Sequence, residues 1–115
     1  MVNCNNRGVN IPAIISTLSE AISLKRLGIV RRVIAVIGGS ERATCELIDA
    51  NKLAQDLNKI DGVDLYVLCG ALGVKLREIG VKGMTFSSLN EAIAFAKEEA
   101  SKTSKTIVVV CCNEA

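Results

Sequence analysis

The stretch Arg32-Val33-Ile34-Ala35-Val36-Ile37-Gly38-Gly39-Ser40-Glu41-Arg42-Ala43-Thr44-Cys45 decides the fold. From Val33 to Ile37 every side chain is apolar, on both alternating sets of a strand. A strand covered on both faces needs that pattern, and such strands belong to parallel sheets. Two glycines stop the run, a polar loop follows, and helical spacing resumes from about Ala43 to Lys59, with Leu47, Ile48, Leu53, Ala54 and Leu57 on the packed side. Where a parallel strand feeds a helix through glycines, the backbone can approach a ligand closely and the first helical amides point at it, which suits anions.

Working outward, the same unit recurs. Upstream, Val2 to Cys4 is a short apolar start, Asn5 to Asn10 a polar loop, and Pro12 opens a helix carrying Ile14, Ile15, Leu18 and Ile22. Gly28 ends it. Downstream, Val63 to Cys69 reads as a strand, Gly70-Ala71 turns it directly into a helix carrying Leu72, Leu76 and Ile79 that Gly80 stops, and Val81 to Phe86 reads as a fourth strand. Ser88-Leu89-Asn90-Glu91 has the spacing of a capping box at the start of a last helix to about Ala100, and Thr106 to Cys112 is the fifth strand. Helix, glycine, strand occurs at Gly28, Gly62 and Gly80, each where a left-handed cap is wanted.

Five strands alternating with four helices predict an α/β fold: a three-layer α/β/α domain over residues 1–115, with a mainly parallel, five-stranded, Rossmann-like sheet. The second, third and fifth strands are the most apolar, so they are central, and the order 1-5-2-3-4 satisfies that condition.

Of 115 residues half are apolar and three aromatic, so the core is built from Val, Ile, Leu and Ala. The formal charge of +2 is too small to argue for nucleic acid or an acidic membrane surface. No apolar run reaches the roughly 18 residues of a membrane span, and no basic segment followed by an apolar core opens the chain. The expectation is a cytoplasmic protein with no nucleic-acid or membrane partner. The basic cluster Lys25, Arg26, Arg31 and Arg32 reads as a solvated helix end matched to the helix dipole.

Ligands of open parallel sheets sit beyond the carboxyl ends of the strands. The two long polar loops there would overhang one crevice across the fifth strand, gathering Asn5, Asn6 and Arg7 with Gly38, Gly39, Ser40, Glu41 and Arg42. A small anion or nucleotide fits that chemistry. The alternative is that Ser40 or Thr44 merely caps the helix and the glycines merely turn the chain. The loop has neither the Gly-Lys-Ser/Thr ending of a phosphate loop nor the full spacing of a dinucleotide fold. Five cysteines without histidine and without paired spacing argue for reduced thiols packed as small hydrophobes, with Cys45, in a first helical turn, the candidate reactive thiol. No metal site and no cofactor is legible; there is no His for general-base work and no paired carboxylate near the crevice, where Glu41 stands alone and can simply pair with Arg42.

The layout resembles the C-terminal domain of the Mur ligase family, ATP-dependent ligases that add amino acids to cell-wall precursors. Val2-Asn3-Cys4-Asn5-Asn6 is similar to that family's strand ending in Asn-Ala-Asn-Pro, and Arg31 to Gly38 to its Arg-Arg-Ile-Ala-Val-Leu-Gly-Asp strand. Gly62 to Gly70, Leu89 to Ala92 and Thr106 to Cys112 are similar to its later strand, helix start and last strand. The resemblance implies that the last strand inserts beside the first. Gly39 stands where the dipeptide-adding members carry Asp, no His follows, and Pro12 is preceded by Ile11 rather than Asn. Because the family binds ATP largely on a central domain with a phosphate loop, the resemblance implies a domain that does not ligate alone. Tyr66 to Ala115 also resembles, more weakly, the F subunit of V-type ATPases, which binds partner subunits. Three functions follow as expectations: a ligand-binding module, an interaction subunit forming a homo-oligomer or joining a larger partner, and a thiol or metal protein.

Overall fold

A computed structural model describes residues 2–3, 11–39 and 49–113, with 2–3 and 112–113 described by backbone only. Among these residues the elements run β1 (Val2–Asn3), α1 (Ile11–Arg26), β2 (Arg32–Gly39), α2 (Ala50–Lys59), β3 (Leu65–Cys69), α3 (Gly70–Ile79), β4 (Met84–Phe86), α4 (Leu89–Ser101) and β5 (Thr106–Asn113). All pairings are parallel, in the order β1-β5-β2-β3-β4. Four of these strands, β4-β3-β2-β5, carry the sheet. The described part of the first is a two-residue ladder, Val2 to Val109 and Asn3 to Val110; Cys4, the end expected from sequence, lies outside the described residues.

Handedness distributes the helices. The moves β1 to β2, β2 to β3 and β3 to β4 all step across the sheet in one direction, and right-handed crossovers then put their helices on one face. There Ile14, Leu18 and Ala21 of α1, Leu53, Ala54 and Leu57 of α2, and Leu72 and Leu76 of α3 meet Val33, Ala35, Ile37, Leu68 and Val109. The return from β4 to β5 runs the other way. Its helix α4 therefore covers the opposite face, packing Ala92 and Ala96 on Ile34, Val36, Val67, Cys69, Val108 and Val110. Small alanines bring α4 close to the sheet, and Phe95 fills the margin against Phe86, ring centroids 5.1 Å apart.

Helix ends show where local chemistry departs from the pattern. Asp49 caps α2, its Oδ1 accepting the amides of Asn51 at 3.0 Å and Lys52 at 3.2 Å, a contribution of about 1 kcal/mol. The first turn of α2 is thus Ala50 onward rather than Ala43, and Leu47 and Ile48 lie outside the described residues. At α4 the Ser88 hydroxyl accepts the Glu91 amide at 3.2 Å as a capping box requires, but the Glu91 carboxylate takes the Ser87 hydroxyl instead of reaching back to Ser88.

Both α1 and α3 close with paired bonds around a left-handed glycine. In α3, Gly80 donates to Arg77 and Val81 to Leu76; in α1, Gly28 donates to Lys25 and Ile29 to Leu24. Val81 is buried against the core below Leu76 and occupies the place expected for Ile79, which is 42% exposed.

The basic cluster divides. Lys25 reaches both oxygens of Asp64, at 2.9 and 3.0 Å, and the Gly62 carbonyl at 3.1 Å. Asp64 also accepts the Val33 amide at 2.8 Å and returns its own amide to the Val33 carbonyl at 2.9 Å. One carboxylate therefore ties the end of α1 to the start of β2. Arg32 binds the Glu99 carbonyl at 3.1 Å and shares the Glu99 carboxylate with Lys102. Lys25 and Arg32 are ion-paired rather than simply solvated.

Candidate functional site

β2 and β3 end side by side, Gly38 level with Cys69. Gly38 is buried at φ +153° and Gly39 follows at +125°, backbone that side chains rarely adopt. That conformation turns the Cβ direction of Gly38 into the plane of the sheet, onto the backbone carbonyl of Cys69. The reciprocal contact comes from Gly70, at φ +69°, where a Cβ would stand 2.7 Å from the Gly39 carbonyl. The two strand ends thus meet backbone to backbone, and only glycine fits on either side.

Directly from this junction α3 begins. Its N-cap residue, Cys69, makes no side-chain capping bond, in contrast to Asp49 and Ser88 at the starts of α2 and α4. The first-turn amides of α3 stand at the carboxyl edge of the sheet beside the Gly38–Gly39 backbone. Next to it, β4 leads through Ser87 and Ser88 to α4 on the opposite face, so the connections after β3 and β4 part in opposite directions. That parting is where ligands of open parallel sheets bind. The sequence places Cys69 at the end of a strand and Ser88 at the start of a helix without placing a site on them. The signal was available in the order of strands combined with crossover handedness.

The two strands expected to flank the crevice, β1 and β2, do lie on either side of β5. Asn3 stands level with Val110, which stands level with Val36, so the chain leaving β1 and the chain leaving β2 emerge on either side of β5. Gly39 is level with Asn113. Of the expected site residues, Gly38 and Gly39 are placed at this edge, whereas Asn5, Asn6, Arg7, Ser40, Glu41 and Arg42 lie outside the described residues, as does the candidate thiol Cys45. Cys69 is buried. Cys111, packed on the face of α1 to α3, is disulfide-bonded, with its partner outside the described side chains, so the expectation of reduced thiols fails at that position.

Shifted ionisations lie elsewhere. Glu99 is held below the usual carboxylate range by its hydrogen bond from Lys102, and Lys102 is raised by the same contact, both at the amino edge. Burial pushes the Tyr66 phenol up to about 12, and its hydroxyl has no hydrogen-bond partner among the described residues. A buried, unpartnered hydroxyl opposes folding. Tyr66→Phe is therefore expected to leave stability unchanged or raise it by up to about 1 kcal/mol in a urea melt. The raised phenol carries a sign as well. The unfolded chain loses that proton near pH 10 and the folded chain only near 12, so stability declines as pH rises above about 10, and Tyr66→Phe removes that part of the decline.

Among the described residues no helix is long and apolar enough to cross a membrane, and no three His, Cys, Asp or Glu side chains are gathered as a metal site would need.

No curated protein sequence matches the chain. Two solved structures of bifunctional folylpolyglutamate synthase/dihydrofolate synthase share the fold: one from Yersinia pestis c092 complexed with AMPPNP and Mn ion, the other with Mn, AMPPNP and L-glutamate bound. Each has a TM-score of 0.62 and 18% sequence identity, and covers 93% of this chain but only 24% of the synthase chain. This chain thus spans about a quarter of the length of the enzymes it resembles. The shared fold and the family model that follows agree with the likeness to the Mur ligase C-terminal domain read from the sequence. A family model described as "Coenzyme F430 synthetase CfbE, C-terminal domain" matches residues 1–114, including the first 60 that the V-type ATPase likeness left unexplained. The chain belongs to the coenzyme F430 synthetase CfbE C-terminal domain family, on a Mur-ligase-like α/β fold.

Proposed function

We propose that the chain is the ligand-binding C-terminal module of a synthetase, and that it carries out no reaction without further domains. The ligand is a nucleotide or a small anion held at the carboxyl edge of the sheet. The observation that carries this reading is the Gly38–Gly39 to Cys69–Gly70 junction beside the uncapped start of α3. It presents bare backbone and helix amides at one place, the chemistry that phosphate and carboxylate oxygens use. Arg7 and Arg42, in the loops that leave this edge, supply the charge, and Asn5, Asn6, Ser40 and Glu41 supply hydrogen bonds to the rest of the ligand. The folylpolyglutamate synthase structures, which hold AMPPNP, Mn and in one case L-glutamate, make an adenine nucleotide or an amino acid the first ligands to try. The absence of histidine and of a phosphate loop in the sequence fits a module that binds rather than reacts.

Differential scanning fluorimetry with ATP, ADP, inorganic phosphate and L-glutamate, each with and without Mn²⁺, tests the reading. At roughly one hundred times Kd a ligand of the folded state adds about 2.7 kcal/mol, which is several degrees in Tm. Arg42→Ala is expected to weaken that saturable shift roughly tenfold in apparent affinity. No saturable shift with any of the four would overturn the binding reading.

A further inference from the structure

At the amino edge of the sheet, away from the candidate site by the full length of β2, or about 23 Å, the turn between α1 and β2 carries two large apolar side chains in solvent. Leu27 is 74% exposed and Ile29 56%. The turn is rigid, closed by the Gly28 to Lys25 and Ile29 to Leu24 bonds and anchored by the Arg31 amide on the Lys105 carbonyl at 2.8 Å. The fold does not ask for apolar residues at these positions. In the equivalent turn after α3, the residue matching Ile29 is Val81, and it is buried in the core. In the α1 turn the same backbone bonds hold the apolar pair outward.

Arg26 and Arg31 flank the pair in the chain and Lys105 is joined to Arg31 through the backbone; all three are exposed and none is in an ion pair with a described residue, whereas the neighbouring Lys25 and Arg32 are paired with Asp64 and Glu99. Asp61 and Glu98 also lie at this edge, Glu98 beside Lys102. A net positive rim around an exposed apolar pair, held on a fixed backbone, is complementary to an acidic segment that carries apolar side chains.

We infer that the α1–β2 turn docks an acidic, leucine-bearing segment of a partner protein, with Leu27 and Ile29 as the apolar anchors and Arg26, Arg31 and Lys105 as the charge that orients it. A second copy of the chain would bring like charges together across a symmetric contact. A lipid surface is the poorer match, because the turn offers no aromatic side chain and no extended amphipathic face. The inference is independent of the ligand site at the opposite edge.

The test is an NMR titration of the ¹⁵N-labelled chain with a synthetic peptide of repeated Glu-Leu-Glu units, beside peptides of Glu-Ser-Glu and Lys-Leu-Lys units. The expected result is that Glu-Leu-Glu shifts the amides of residues 26–31 and 105, that Glu-Ser-Glu binds roughly tenfold more weakly, and that Lys-Leu-Lys does not bind. The double variants Leu27→Ser with Ile29→Ser and Arg31→Glu with Lys105→Glu, whose positions are exposed, should keep the wild-type Tm and each lose roughly tenfold in affinity. Binding that ignores the leucines, shifts that map elsewhere, or no binding at all would overturn the inference. So would sedimentation with phosphatidylserine vesicles in the absence of peptide binding, or dimerisation abolished by the Leu27 and Ile29 changes.

Discussion

Gly38→Ala is expected to destabilise the chain by at least about 3 kcal/mol, or to prevent its folding. Two costs combine. Alanine at φ +153° is strained wherever it occurs, and here its methyl carbon would fall on the Cys69 carbonyl, a backbone atom of the central pair β2 and β3 that has no rotamer by which to move aside. Gly80→Ala separates the two, because Gly80 has a similar φ of +124° with nothing within 4 Å of the added carbon, leaving backbone strain alone at about 1–2 kcal/mol. Thermal melts of both variants check the difference, with Tm falling roughly 10 °C or more for Gly38→Ala and about half as much or less for Gly80→Ala. Equal losses would show that the strand ends do not meet as tightly as described, and the candidate site would lose its defining geometry.

Asp64→Ala is expected to cost about 2 kcal/mol, because it leaves the partly buried Val33 amide without its acceptor and removes the only ion-pair partner of Lys25 among the described residues. The amide weighs more than the charge. The Lys25–Asp64 pair is about one-third exposed on each side, where screening leaves an ion pair worth under about 1 kcal/mol. Asp64→Asn keeps an oxygen for Val33 and should therefore lose less than half as much as alanine. Urea denaturation of both variants measures this. An asparagine variant as unstable as the alanine variant would assign the stabilisation to the ion pair.

Much of the fold was legible because burial writes itself into a strand directly. Val33 to Ile37, Val67 to Cys69 and Ile107 to Cys111 are apolar on both alternating sets, and only central strands of a parallel sheet need that. The helices were legible from Leu18, Leu53, Leu57, Leu72 and Leu76 for the same reason. Local chemistry was read less well. Asp49 rather than a residue near Ala43 starts the described α2, and Glu91 answers Ser87, because competing side chains a few residues apart offer nearly equal bonds.

The site was half legible. Gly38, Gly39 and Gly70 announced themselves as turn residues, but their mutual contact depends on the register that sets Gly38 beside Cys69. The polar residues expected around them, from Asn5 to Arg7 and from Ser40 to Arg42, remain assigned from sequence chemistry.

Apolar periodicity and glycine placement thus settle, without coordinates, the class of fold and the identity of the central strands, since each follows from short-range pattern and the burial it demands. Folding decides what depends on residues far apart in the chain. Asp64 and Glu99 pair with Lys25 and Arg32, while Arg26 and Arg31, next to Leu27 and Ile29 in the chain, have no ion-pair partner among the described residues. The junction of Gly38 with Cys69 and Gly70 likewise exists only once β2 and β3 are in register. Pairing and steric exclusion act through space, and sequence spacing carries no record of them.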